Sequence, residues 1–159
     1  MHSPDDNRKL HLASEADTLA LGKAIATILH PGLVIHLSGD LGAGKTTLAR
    51  GILRGLGHTG AVKSPTFTLV EPYNFSKLYL YHFDFYRFLD PEELEESGFR
   101  DYFNPDSVCL VEWAENVPTL PPADLHIALQ PAGSGRDVDI RAFTDAGARC
   151  LAQLNISMT

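Results

Sequence analysis

The run Gly39-Asp40-Leu41-Gly42-Ala43-Gly44-Lys45-Thr46, followed by Thr47, constrains this chain more than any other stretch. It fits G-x-x-x-x-G-K-[ST], the pattern of a phosphate-binding loop. Its glycines let successive backbone N–H groups turn toward the phosphates of a nucleotide. Lys45 supplies an ammonium for the β- and γ-phosphates, and Thr46 supplies a hydroxyl for Mg²⁺. The helix that follows adds the positive end of its dipole. Such a loop works only where a strand enters it and a helix leaves it. Leu33-Val34-Ile35-His36-Leu37 reads as that strand, short and buried, and the segment 47–56 reads as that helix. Leu48, Ile52, Leu53 and Leu56 form its apolar stripe, Arg50 and Arg54 share another face, and Gly57 is a natural stop. Gly51 and Gly55 weaken the helix but are expected to let it pack closely on the sheet.

At 159 residues the chain suits one domain, expected to span 1–159 with 1–8 as a flexible N-terminal segment. Hydrophobic content of 44% and charged content of 21% are those of a globular protein. The polar start lacks the apolar core of a signal peptide, and no run is long enough to span a bilayer. Cys109 and Cys150 lie far apart and read as reduced, buried thiols. A cytoplasmic protein with no membrane association is expected. With 13 Lys and Arg against 20 Asp and Glu, the net charge is −7. That balance argues against extensive direct gripping of a nucleic-acid backbone, though not against a role in RNA metabolism through a basic partner.

Residues 9–13 read as a first short strand. Ser14-Glu15-Ala16-Asp17 then has capping-box character and opens a helix expected to run to His30-Pro31-Gly32. The loop therefore follows the second strand. Phe67 to Val70 is expected to be a strand, joined through the turn Asn74-Phe75-Ser76-Lys77 to the aromatic run 78–86 in an antiparallel hairpin. Period two divides that run, with Leu78, Leu80, His82, Asp84 and Tyr86 on one face and Tyr79, Tyr81, Phe83 and Phe85 under a helix on the other. Asp90-Pro91 opens a short acidic helix ending at Gly98. Residues 108–113 form a buried strand ending in a carboxylate. Leu125 to Leu129 and Val138 to Phe143 are further strands, joined by a loop containing Gly133-Ser134-Gly135-Arg136, and a helix from about Asp145 to Leu154 closes the chain. The fold class expected is α/β, with a mixed parallel and antiparallel sheet flanked by helices.

The acidic half of the site is sought at strand ends near the loop. Glu112, after four apolar residues, fits a carboxylate acting on Mg²⁺ directly or through water. Asp84 is costly to bury in so aromatic a strand unless it is paired, metal-bound or solvated in a cleft. A role beside the γ-phosphate, ordering water, is favoured over a structural carboxylate bonded to backbone or Arg87. His82 reads as a hydrogen-bonded core histidine rather than a zinc ligand. Trp113 packs near the nucleotide, in the core, or against a partner. Arg136 is either a phosphate or base contact or a solvated loop arginine. Ser64, Pro65 and Thr66, just before a strand, make either a phosphate-sensing switch loop or a solvated turn.

Together the loop at Gly39 to Thr47, the segment Ser64 to Tyr73, Tyr81-His82-Phe83-Asp84-Phe85-Tyr86-Arg87, Asp90 to Leu94 and Leu110-Val111-Glu112-Trp113 resemble the TsaE family, formerly YjeE. The resemblance runs from about Ser14 to Trp113; beyond it only Gly135-Arg136 is locally similar. Ala114 stands where many relatives have proline. The resemblance implies an ATP-hydrolysing, Mg²⁺-dependent P-loop protein of tRNA threonylcarbamoyladenosine biosynthesis, acting on the tRNA-binding partners TsaB and TsaD. It suggests Thr46 and Glu112 at Mg²⁺, Lys45 on the phosphates, Asp84 needed for hydrolysis and Ser64-Pro65-Thr66 as a switch-like loop. The Ser14 to Thr18 region would approach the base. The ATP contacts expected are Glu15, Gly42, Ala43, Gly44, Lys45, Thr46, Thr47, Trp113 and Arg136. A small-molecule P-loop kinase is the main alternative, but no Arg-rich lid is evident. A GTPase-like switch lacks its Asn-Lys-x-Asp tetrapeptide, and a scaffold without turnover is the third reading.

Overall fold

A computed structural model describes residues 7–40, 42–63, 65, 68–87 and 90–156. Among these residues, seven strands, β1 (Asn7–Leu12), β2 (Val34–Ser38), β3 (Val70–Asn74), β4 (Tyr79–Asp84), β5 (Ser107–Glu112), β6 (Leu125–Ala132) and β7 (Gly135–Ala142), form one sheet. Their order is β1-β7-β6-β2-β5-β4-β3. The central pairs β6–β2, β2–β5 and β5–β4 are parallel, while β1–β7, β7–β6 and β4–β3 are antiparallel. The sheet is mixed, as the hairpin in the sequence required. Among the described residues, four α-helices accompany it: α1 (Glu15–Ala26), α2 (Lys45–Gly55), α3 (Pro91–Glu96) and α4 (Asp145–Gln153).

The alternation of side chains along the strands divides the interior in two. Ile35 and Leu37 of β2, Leu80 of β4, Leu110 of β5 and Ile127 of β6 join Leu21 and Ile25 of α1, Leu48, Ile52 and Leu53 of α2 and Leu151 of α4 in the larger core. Phe83, Phe85, Cys109 and Val111 face the other way and pack with Leu94 of α3 and with Phe99. The aromatic strand thus puts Phe83 and Phe85 under α3 and its following turn, and His82 and Asp84 on the face shared with α2. Cys109 and Cys150 are free, buried thiols, and burial pushes the Cys109 thiol up to about 12. Behind β2, His36 stands in register with His126, and burial together with that neighbour lowers it to about 4.

Several boundaries differ from the expectation. Ser14 caps α1 as read, accepting the Asp17 N–H at 3.3 Å, but the helix stops at Ala26. Thr27 turns its hydroxyl and its N–H onto the Ala24 carbonyl, at 2.6 and 3.1 Å, which tightens the last turn. Strand β3 begins at Val70, where the expected strand ended, because Leu69 adopts a left-handed φ of 71°. Phe67 lies outside the described residues. Asn7 and Arg8, placed by expectation in a flexible segment, belong to β1, and Arg8 Nη1 donates to the Leu154 carbonyl at 2.7 Å. Strands β6 and β7 are longer than expected, because Gly133 and Ser134 alone make the loop between them. Gly133, at φ 61°, supplies the positive φ that such two-residue turns need. Gly135 and Arg136 are therefore strand residues.

The glycines of α2 serve α1 rather than the sheet. A Cβ on Gly51 would lie 2.6 Å from the Leu19 carbonyl oxygen and 3.1 Å from the Gly22 Cα; one on Gly22 would lie 2.7 Å from the Gly51 backbone. Two helices therefore cross on bare backbone, and this fixes α2 beside α1. Gly51→Ala gains about 1 kcal/mol of helix propensity but overpacks rigid backbone, at a cost of about 1–3 kcal/mol. The 2.6 Å contact to the Leu19 backbone oxygen puts that cost at the upper end, so the variant should have a lower melting temperature. Thermal unfolding by circular dichroism tests this, and an unchanged or higher melting temperature contradicts it.

Candidate functional site: a phosphate loop facing two strand-end carboxylates

Strands β2, β4 and β5 run parallel and end together at Ser38, Asp84 and Glu112. In open α/β sheets, ligands bind outside the carboxyl ends of such strands. The loop leaving β2 carries Gly39, Gly42 and Gly44 at φ 145°, 82° and 105°. Gly39 admits no side chain, since its Cβ would lie 2.5 Å from the Leu129 carbonyl oxygen. Leu41 lies outside the described residues.

The loop delivers the chain into α2 with Gly44 as N-cap. Ser14, Asp90 and Thr144 cap α1, α3 and α4 through their side chains, and each of those helices has an acidic residue in its first turn. Helix α2 has neither. Among the described residues, its first N–H groups and positive dipole end are left without a side-chain acceptor, the arrangement that suits a phosphate. Ala43 is buried within the loop; Gly42 and Thr46 are exposed, and Thr47 is half-buried.

Lys45 is 6% exposed and points inward. Its Nζ lies 4.1 Å from the centre of the Trp113 ring and 3.9 Å from Glu112 Oε1. The second distance is an ion-pair contact beyond hydrogen-bond range. Glu112 is itself 4% exposed, and its Oε2 lies 2.6 Å from His82 Nε2. Trp113 reaches Lys45 because it adopts φ 59°, turning the chain sharply after β5 into the turn Ala114–Asn116. For so bulky a residue this is a strained conformation, of the kind found at functional sites and costing about 1–3 kcal/mol. Tyr86, 45% exposed, lies 5.1 Å from the Trp113 ring.

Asp84 is buried, and its Oδ1 accepts the Tyr86 N–H at 2.8 Å. Its own N–H donates to the Leu69 carbonyl at 3.0 Å, and the Leu69 N–H donates to the Pro65 carbonyl at 2.8 Å. Two backbone bonds thus connect Asp84 to Pro65, the described member of the expected switch segment. Ser64 and Thr66 lie outside the described residues. Phe85 N–H donates to the Glu112 carbonyl at 3.0 Å, fastening the ends of β4 and β5 together.

On the other side of the loop, a pocket of about 250 Å³ is lined by Ser14, Glu15, Thr18, Gly44, Thr47, Ser134, Gly135 and Arg136. This brings the start of α1, the start of α2 and the β6–β7 turn to one place. Glu15 Oε1 there lies 3.5 Å from Arg50 Nη1, an exposed and correspondingly weak pair. Arg136 grips the loop: Nε donates to the Ala43 carbonyl at 2.9 Å and Nη2 to the Gly42 carbonyl at 3.0 Å. The sequence reading missed that His82 bonds Glu112 and that Arg136 holds the loop's carbonyls. Both bonds join strands distant in the chain. The one available signal was that His82 and Asp84 share a face of the strand next to Glu112.

The donor set suits a Mg²⁺-nucleotide. A hydroxyl at the first turn of α2, a buried strand-end carboxylate and a lysine 3.9 Å from that carboxylate are hard-oxygen and ammonium groups of the kind such a ligand uses. Arg136→Met, which keeps the aliphatic stem but removes the donors, should loosen the loop by about 1.4 kcal/mol, or about tenfold. The Ala43 amide donates to the Asp40 carbonyl at 3.0 Å, and its hydrogen exchange in protein without added nucleotide should then quicken by that factor. Unchanged exchange contradicts the clamp.

Known proteins share this architecture. The profile described as threonylcarbamoyl adenosine biosynthesis protein TsaE matches residues 12–138. The tRNA threonylcarbamoyladenosine biosynthesis protein TsaE of Haemophilus influenzae is 48% identical over 143 residues, covering 86% of this chain and 90% of the relative. The Bacillus subtilis protein of the same name is 43% identical over 143 residues, covering 89% and 87%. The crystal structure of Bacillus subtilis YdiB superposes with a TM-score of 0.78 at 36% identity, over 93% of each chain. A loop motif alone would leave many P-loop families open, but a match from the first strand to the last, across both carboxylates, does not: this chain belongs to the TsaE family.

Proposed function

We propose that the chain binds ATP with Mg²⁺, hydrolyses it, and serves tRNA threonylcarbamoyladenosine modification as a nucleotide-dependent switch on a TsaB–TsaD complex. The relatives' names supply the pathway. The observation that carries the nucleotide chemistry is Lys45 Nζ, at the uncapped start of α2, lying 3.9 Å from the strand-end carboxylate of Glu112. On this reading the whole of 1–159 acts as one P-loop domain in the cytoplasm. Among the described residues no helix is long and apolar enough to cross a membrane. The charge of −7 favours contact with tRNA through partners rather than directly.

The triphosphate lies along Gly42, Ala43, Gly44 and the first N–H groups of α2. Lys45 leaves Glu112 and Trp113 for the β- and γ-phosphates, exchanging one anionic partner for another. Thr46 and Glu112 would hold Mg²⁺, which when bound neutralises charge on the β- and γ-oxygens. The base occupies the pocket between Glu15, Thr47 and Arg136. Asp84, fixed by the Tyr86 N–H, orients a water molecule whose oxygen attacks the γ-phosphorus. The bond from that phosphorus to the β–γ bridging oxygen breaks, ADP leaves, and the water's proton departs with phosphate. Loss of the γ-phosphate reaches Pro65 from Asp84 through Leu69, which gives ATP and ADP states different surfaces to offer a partner.

Asp84→Asn tests this. Phosphate release from ATP, followed with TsaB and TsaD present and no metabolite acceptor, should fall by about a hundredfold or more, the usual worth of such a group. Affinity for the non-hydrolysable analogue AMPPNP should stay within a few-fold. Unchanged release indicates a different catalyst or none, and strict dependence on a metabolite acceptor indicates a kinase.

A further inference from the structure

We propose that His82 is a positioning residue that fixes which oxygen of Glu112 faces the nucleotide and its metal. This rests on the Mg²⁺–ATP reading of the site. His82 is 1% exposed and Glu112 4%. A carboxylate so deeply buried needs hydrogen bonds or opposite charge on its oxygens. Its two oxygens are treated differently. Oε2 lies 2.6 Å from His82 Nε2, a short charge-assisted hydrogen bond, whereas Oε1 faces Lys45 Nζ at 3.9 Å. Because a carboxylate can only accept, Nε2 carries the hydrogen. The other ring nitrogen, Nδ1, is buried with no hydrogen-bond partner among the described residues. Among the described residues, the ring's one hydrogen bond is the one to Oε2.

That bond has a geometric consequence. With Oε2 occupied, the carboxylate cannot turn about its last bond without breaking the contact, and only Oε1 projects toward the loop. When Lys45 moves to the phosphates, Oε1 is left pre-aimed, a one-oxygen anchor for the metal or for a water on it. The clamp is also tied to the catalytic strand. His82 pairs in register with Leu110, Asp84 pairs with Glu112, and the Phe85 N–H holds the Glu112 carbonyl. One strand end thus carries both Asp84 and the group that aims Glu112. Partners of metal-binding side chains in other proteins are worth about ten- to a hundredfold in metal affinity.

The test is calorimetric titration of AMPPNP into the full chain, first in EDTA and then at increasing Mg²⁺. His82→Leu should raise the Mg²⁺ concentration for half-maximal tightening of binding by about ten- to a hundredfold, with affinity in EDTA unchanged. Two polar variants separate aim from polarity. The amide nitrogen of His82→Gln reaches the place of Nε2 and should restore most of the Mg²⁺ response. That of His82→Asn reaches only the place of Nδ1 and should not. Melting curves accompany each variant, so if the leucine variant does not fold, the Gln and Asn pair decides alone. Equal Mg²⁺ responses in the Gln, Asn and unsubstituted chains overturn the proposal. So does a parallel loss of binding in EDTA, which marks a purely structural bond. No Mg²⁺ effect in the unsubstituted chain overturns the metal-site reading itself.

Discussion

An ammonium held almost out of water is the interaction around which this molecule is arranged. Removing a lysine charge from solvent costs several kcal/mol unless something replaces the lost hydration. Lys45 is offered the π-face of Trp113 and the carboxylate of Glu112. Neither is an ideal partner. The carboxylate is at 3.9 Å rather than hydrogen-bond distance, and the ring supplies on the order of 1–2 kcal/mol. A lysine so held is retained but not saturated, and a polyphosphate beside it offers stronger, closer acceptors. On the function proposed above, this site is poised to exchange partners.

The surrounding fold keeps that exchange local. Arg136 reaches across from β7 to hold the Gly42 and Ala43 carbonyls, so the loop does not have to form when the ligand arrives. The crossing of Gly22 and Gly51 fixes α2 against α1, and with it the direction of the helix dipole. On the acidic side, β4 and β5 are joined by their ladder and by Phe85 N–H to Glu112, while His82 holds one carboxylate oxygen. From Asp84 a path of two backbone bonds leads to Leu69 and Pro65. The strained turns at Leu69 and Trp113 lie at either end of this acidic half.

What could be read from the sequence was whatever local chemistry decides. The loop at Gly39, the cap at Ser14, the stop at Gly57 and the alternation from Tyr79 to Phe85 each announce themselves within a few residues. The mixed sheet followed from the short connection between two strand-like runs. The rest depended on partners distant in the chain. Strand β3 is placed by its register with β4, Val70 opposite Phe83, and by the left-handed Leu69 before it, not by the β-propensity of its neighbours. The glycines of α2 could be read as packing residues but not as facing α1, because that depends on how two helices cross. His82 looked like a core histidine. Its bond to Glu112 appears only when β4 and β5, separated by α3, are laid side by side.

Trp113 is the single tryptophan of the chain, so its emission reports directly on the Lys45 ammonium above it. The measurement is tryptophan fluorescence of the nucleotide-free protein against the Lys45→Ala variant, and of the unsubstituted protein before and after saturating ATP and Mg²⁺. If Lys45 rests on Trp113 and leaves it for the phosphates, both the substitution and the ligand take the charge off the ring, and each changes the emission. Emission that is identical in the nucleotide-free protein and its Lys45→Ala variant would contradict the account, because the lysine would then not be where the whole arrangement requires it.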